Sequence, residues 1–192
     1  MSFEKAVSRG TSFLPLDNLK RTLKVVSAED DIVPHLGVVG DTYSILLTGT
    51  DTDNRFCLIE MYIPPGGGPP PHRHDFEETF IILEGELQLT FRGESHLCRG
   101  GHTVHIPANA PHQFKNISDY SVKLLCLCSP GGLDQYFQEV GIPVGSNTVK
   151  VPQVDDETQG DIIAKMVSLA PKYRTEILRS TNPEVEDNLE KL

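Results

Sequence analysis

Three histidines and one glutamate carry the chemical signal in this 192-residue sequence. His72 and His74 stand two apart after the run from Pro64 to Pro71, which is only proline and glycine. On a strand, residues two apart project from one face with Cα atoms roughly 6–7 Å apart. Two ring nitrogens can then meet one ion at about 2.0–2.1 Å. Glu78 comes four residues after His74. On one continuous strand it would lie about 13 Å further along, so a turn at Asp75 and Phe76 is expected to return it on the adjacent antiparallel strand. His112 opens a strand after a turn bracketed by Pro107 and Pro111, and brings a third imidazole to the same ion from a different strand. Three neutral imidazoles and a carboxylate leave a divalent ion with about one unit of positive charge, and an ion that prefers about five or six ligands keeps positions for water, oxygen or substrate. The prolines before His72 stiffen the approach and reduce the entropy lost on ordering the site.

The other histidines have plainer readings. His102 follows a glycine and reads as solvated; His105 could line the pocket or lie on the opposite face of its strand, and the opposite face is expected; His35 and His96 read as ordinary loop and strand residues. Glu77 has the opposite strand parity to Glu78 and reads as solvated. Phe80 and Ile82 share parity with Glu78, and Phe114 with His112, so all three project toward the same interior. Core packing accounts for them; an apolar wall beside an ion would also suit an aromatic substrate.

The elements that position these residues read as strands. Tyr43 to Leu47 is one. In Phe56 to Ile63 the odd set Cys57, Ile59, Met61 and Ile63 is wholly apolar and faces a core. Thr79 to Leu83 and Glu86 to Phe91 are split at Gly85, and Arg92-Gly93 marks a hairpin turn. Val104 to Ile106, His112 to Asn116 and Val122 to Cys128 follow. Many short strands at close spacing indicate a sandwich or barrel. After Cys128 the period changes. Leu133, Tyr136, Phe137 and Val140 mark a short helix ended by Gly141. A second spans Glu157 to Leu169, capped by Asp155 or Asp156, with Ile162, Ile163, Met166 and Val167 as its apolar face. Both stripes are expected to pack on the barrel. The tail beyond Thr181 reads as polar and frayed.

Composition narrows the partners. The formal net charge of −10 disfavours nucleic acid and anionic membrane surfaces, and no segment has the length and apolarity of a membrane span. The first twenty residues lack the apolar run of a signal peptide. Cys57, Cys98, Cys126 and Cys128 fit no C-x-x-C pattern and read as buried thiols of a reducing compartment, so a cytoplasmic protein is expected.

The two segments resemble the paired motifs of the cupins. The first, G-x5-H-x-H-x3-4-E-x6-G, is matched from Gly66 to Gly85 with His72, His74, Glu78 and Gly85 in place. The second, G-x5-P-x-G-x2-H-x3-N, is matched from Gly101 to Asn116 with Pro107, His112 and Asn116 in place. Asn109 stands where the family has glycine; asparagine is among the side chains that best tolerate a left-handed backbone, so the change is mild. The resemblance covers roughly residues 40–130. It implies an all-β fold, the cupin-type double-stranded β-helix or jelly-roll barrel, here with short C-terminal helices. The expected organisation is an N-terminal arm over 1–38, a barrel over 39–130, and a helical extension and tail over 131–192. The arm could pack on the barrel or on a partner, and a homodimer is expected because the family is often dimeric.

For function, the resemblance extends to single-domain bacterial cupins related to quercetinases. It implies a metal-dependent dioxygenase acting on a small aromatic or enolic chelating substrate. The cofactor would be one divalent transition metal (Fe, Mn, Ni, Co, Cu or Zn) held by His72, His74, Glu78 and His112. By the same carry-over Glu78 would also be catalytic, taking a proton from a substrate hydroxyl. Two alternatives stay open: a non-oxidative metal-dependent lyase, isomerase or hydrolase, and a non-catalytic small-molecule binding protein.

Overall fold

The computed structural model describes residues 14–148 and 155–178; the polar tail beyond Thr181 lies outside them. The described chain runs through β1 (His35–Val38), β2 (Asp41–Leu47), β3 (Cys57–Ile63), β4 (His72–His74), β5 (Glu77–Glu84), β6 (Glu86–Phe91), β7 (Glu94–Arg99), β8 (Thr103–Ile106), β9 (His112–Lys115), β10 (Val122–Ser129), α1 (Leu133–Val140), β11 (Ile142–Pro143), α2 (Asp156–Leu169), a 3-10 turn at Ala170–Tyr173, and β12 (Thr175–Ile177).

The strands form two antiparallel sheets, in the order β11-β1-β2-β3-β10-β5-β8 and β12-β4-β9-β6-β7. This is the jelly-roll, double-stranded β-helix architecture. Alternation decides which side chains face inward. On β10, Val122, Leu124, Cys126 and Cys128 are buried and the residues between them are less so. On β3 the odd set is buried as the sequence requires, but Glu60 is buried as well. It faces outward, where Asn147 donates to it and Lys123 pairs with it, so the segment after β11 covers that part of the sheet.

The proline-glycine loop lies close against β9 and the residue after it. Gly68 has φ 128, and a Cβ there would fall 2.2 Å from the carbonyl oxygen of Phe114, so no side chain fits. The Arg92-Gly93 turn between β6 and β7 has φ 51 and 88, the pattern of a two-residue hairpin.

α1 buries Leu133, Tyr136, Phe137 and Val140, with the Phe137 ring 4.7 Å from that of Tyr43. Gly141 ends it, donating its amide to Phe137. Asp155 caps α2 by accepting from the Thr158 amide. The apolar face of α2 differs from expectation. It reaches the core through Met166 and Leu169, lies against α1 and the 3-10 turn, and leaves Val167 half exposed. The chain then returns as β12, pairing with β4 so that Thr175 and Ile177 stand opposite His74 and His72. Among the described residues no helix is long and apolar enough to cross a membrane.

Candidate metal centre

The structure brings His72, His74, Glu78 and His112 together. Their potential ligand atoms all lie within 4.8 Å of one another. His72 and His112 are register partners on β4 and β9, with ring centroids 4.3 Å apart. Glu78 arrives differently from the sequence expectation. It is on β5, in the facing sheet, rather than on a strand adjacent to β4. The residues between His74 and Glu78 carry the chain across the barrel, and an inward-pointing carboxylate from the opposite wall reaches the same point that an adjacent strand would have supplied.

The three imidazoles share one anchoring pattern. Nδ1 of His72, His74 and His112 faces the carbonyl oxygens of Pro70, Phe76 and Ala110 at 2.9, 2.9 and 3.0 Å. A carbonyl only accepts, so each Nδ1 carries the proton and each neutral ring has its lone pair on Nε2. Nε2 of His74 and His112 lie 3.1 and 3.0 Å from Glu78 Oε2. Lone pairs thus confront a carboxylate oxygen in a buried site, and a cation, or a further proton on a ring, must lie between them. This donor set fits a divalent ion, and anchoring of the distal ring nitrogen by a carbonyl is the usual support for metal-bound histidine.

The electrostatics follow from that arrangement. Burial alone would raise the Glu78 pKa, but the imidazoles of His112 and His74 outweigh it and hold the carboxyl well below the usual range. Burial opposes charge on His112, yet the hydrogen bond to Glu78 raises its pKa. His72 is the one member that solvent partly reaches. Its ring faces inward, and desolvation, with His112 and His74 nearby, lowers its pKa to about 4.

Phe80, Ile82 and Phe114 are placed in the core, each at most 3% exposed, with Phe80 and Phe114 packed edge to face at 5.3 Å. His105 and Glu77 lie on the outer face and pair with each other at 3.1 Å. Asn109 has φ 66, the left-handed backbone its place in the second motif calls for. Asn116 is buried, donates to the carbonyls of Ile63 and Tyr120, and fixes the end of β9.

Several neighbours were not legible in the sequence. Phe76 stacks flat on the His74 ring, centroids 3.8 Å apart. It also lines a cavity of about 590 Å³ whose wall includes Asn54, Gly132, Lys172, Tyr173 and Arg174. Cys126 and Cys128 project onto Glu78. Asp41 is buried beside the proline-glycine loop, with Tyr43 donating to its Oδ2 at 3.1 Å and no hydrogen-bond partner for Oδ1 among the described residues. Burial pushes its pKa up to about 7, against the Tyr43 hydroxyl and the Gly68 backbone.

Comparison with known proteins agrees with this architecture. The cupin domain family model matches residues 59–128. An uncharacterised protein of Methanocaldococcus jannaschii is 31% identical over 112 residues, 57% of this chain and 90% of that one. The chain belongs to the cupin superfamily. Within it, quercetin 2,3-dioxygenase of Bacillus subtilis is 28% identical over 102 residues, 53% of this cupin and 30% of the enzyme. A dimethylsulfoniopropionate lyase of Ruegeria pomeroyi is 31% identical over 117 residues, 58% of this cupin and 76% of the lyase. The chain therefore spans most of two relatives and under a third of the dioxygenase.

Proposed function

We propose that this cupin is a mononuclear metal enzyme that binds a small chelating substrate, enolic or phenolic, at an ion held by His72, His74, Glu78 and His112, and that the reaction is a dioxygenation. The observation that carries the reading is the shared anchoring of the three imidazoles, which turns each Nε2 toward one point beside Glu78 Oε2. Likeness to the Bacillus dioxygenase supports the reaction class. When bound, a divalent ion supplies Lewis-acid polarisation and, if redox-active, a route for electrons to dioxygen.

The protein's own residues do the rest. The imidazoles fix position, each prevented from rotating by its carbonyl partner. Glu78, ionised at neutral pH, is the proton acceptor for a substrate hydroxyl brought beside it; the imidazoles of His112 and His74 keep its basicity low, and proximity drives the transfer. Phe80, Ile82 and Phe114, buried in the core, are the residues we assign to an apolar wall beside the ion, one that would keep water out and suit a flat, apolar substrate body.

A second reading has its own support. The lyase relative is covered over 76% of its length, and a non-oxidative elimination would use the same ion as a Lewis acid and the same glutamate as base. Oxygen-uptake measurements with a panel of flavonols and catechols decide between them. Oxygen consumption that disappears in Glu78→Gln is expected. Turnover that proceeds equally without oxygen would establish a non-oxidative reaction instead, and ligand-induced thermal stabilisation without turnover of any panel member would mark a binding protein.

We further infer a homodimer. Leu16, Leu19, Leu23 and Val25 of the N-terminal arm are 81–94% exposed; this stretch is tied to the barrel by Arg21 and Lys24 at Asp51, whereas His35–Val38 at the end of the arm is β1 of the seven-stranded sheet. Apolar side chains so placed suit a partner's surface. The described cysteines are all free, which supports a cytoplasmic location.

A further inference from the structure

Glu78 divides its carboxylate between two chemically different neighbourhoods. Oε2 faces the imidazoles of His74 and His112. Oε1 faces thiols, with Cys126 Sγ at 3.2 Å and Cys128 Sγ at 3.8 Å. The two sulfurs are 3.5 Å apart. Cys57 adds a third. It is the register partner of Cys128 across β3 and β10 and hydrogen-bonds to it. All three are fully buried, and none is in a disulfide.

Packing by itself explains a buried cysteine, which behaves as a small hydrophobe. It does not explain this placement. A buried carboxylate oxygen calls for strong donors, and the S–H group is a weak one. Every hydrogen-bond partner of Oε1 described above is a thiol. A borderline, thiophilic ion such as Zn²⁺ resolves both needs, since it takes thiolate sulfur and carboxylate oxygen alike. The donor atoms of Glu78, Cys126 and Cys128 lie within 4.8 Å of one another, a span that an ion with bonds of about 2.3 Å to sulfur can bridge.

We propose that Cys126, Cys128 and Glu78 Oε1 form a second ion subsite, selective for a thiophilic divalent ion such as Cd²⁺ or Zn²⁺, with Cys57 available as a further sulfur. Glu78 then bridges the two subsites, giving Oε2 to the imidazole side and Oε1 to the sulfur side. The charge balances: a divalent ion enters as two thiols release their protons, so the net charge of the interior is unchanged. Hard ions such as Mn²⁺ gain little from sulfur and do not displace those protons.

Titration of the reduced, metal-stripped protein with Cd²⁺ tests this. Equilibrium dialysis counts the equivalents, and ultraviolet absorption reports sulfur-to-cadmium charge transfer. Two equivalents are expected, with the charge-transfer band. Cys126→Ser/Cys128→Ser should lose the band and one equivalent; His72→Ala/His112→Ala should lose the other equivalent and keep the band. A wild-type protein with no band, or a band that survives Cys126→Ser/Cys128→Ser, overturns the subsite. So does a single equivalent that either double variant abolishes, which would mean one ion shared by all the ligands. If the double serine variant does not fold, the single variants Cys126→Ser and Cys128→Ser are read in the same way. The equivalent lost with the histidines bears on the proposed metal centre, and the band bears on the sulfur subsite alone.

Discussion

The backbone amide of Asn109 donates to the carbonyl oxygen of His74 at 2.6 Å. That bond fastens the turn of the second motif to the strand of the first, so the register of His74 depends on the left-handed backbone at Asn109, φ 66. Asn109→Gly should therefore be nearly neutral, within about 0.5 kcal/mol. Asn109→Val should cost about 1–2 kcal/mol from the strain of the left-handed conformation and weaken ion retention. Thermal denaturation of the two variants, with and without added ion, checks this. Equal stability of the glycine and valine forms would show that the turn does not need the left-handed residue.

Phe76 supports His74 twice, with its carbonyl on Nδ1 and its ring flat against the imidazole. Phe76→Leu keeps the carbonyl and loses the stack. Ion affinity should fall by roughly tenfold, the lower end of losses seen when the groups behind a metal ligand are altered, while the fold persists. An unchanged dissociation constant for Co²⁺, measured by calorimetry, would remove Phe76 from the account.

Asp41 predicts a pH dependence with a definite sign. Its pKa is 3.8 when free in water and about 7 in the folded protein, because burial disfavours its charge. Between those values the folded state holds more protons than the unfolded state. The stabilisation is complete below about 3.8 and is lost as pH rises through about 7. Asp41→Asn stays neutral throughout. Its stability relative to wild type should rise between pH 4 and 8, by an amount on the order of a few kcal/mol. Parallel curves of melting temperature against pH for the two proteins would contradict this.

Particular residues show what the sequence could and could not reveal. β3 and β10 were legible because strict alternation of apolar side chains is a local signal, and the helix at Leu133–Val140 because its period is equally local. β7 was signalled by the Arg92-Gly93 turn before it but its extent was not legible, because Cys98 is its one buried residue and a polar edge strand has no alternation to detect. β12 is three residues held by pairing with β4, and nothing in Thr175–Ile177 announces a partner one hundred residues earlier in the chain. The convergence of the three histidines with Glu78 was legible from spacing. The sheet that delivers Glu78 was not, because spacing requires a turn without saying where the next strand goes. The thiols at Glu78 depend on the register of β10 against β5, in which Cys128 stands opposite Glu78 and Cys126 opposite Phe80, and register is a property of the assembled sheet.

The proposed dimer makes the arm essential to assembly. Leu16→Ser/Leu19→Ser/Leu23→Ser changes three side chains that are 87–94% exposed, so the barrel fold should persist, with stability changed by no more than about 0.5 kcal/mol beyond what loss of association removes. Sedimentation velocity should show wild type as a dimer and the variant as a monomer. A wild-type monomer, or a variant that stays dimeric, would contradict the role given to the arm.

The most direct test of the metal centre is elemental analysis of protein purified without added metal, set beside His112→Ala prepared identically, both in the Cys126→Ser/Cys128→Ser background so that the proposed sulfur subsite is removed. The account predicts one first-row transition-metal ion per chain in the parent and loss of that ion in His112→Ala. A His112→Ala protein that keeps its full equivalent would show that these imidazoles and Glu78 do not hold the ion.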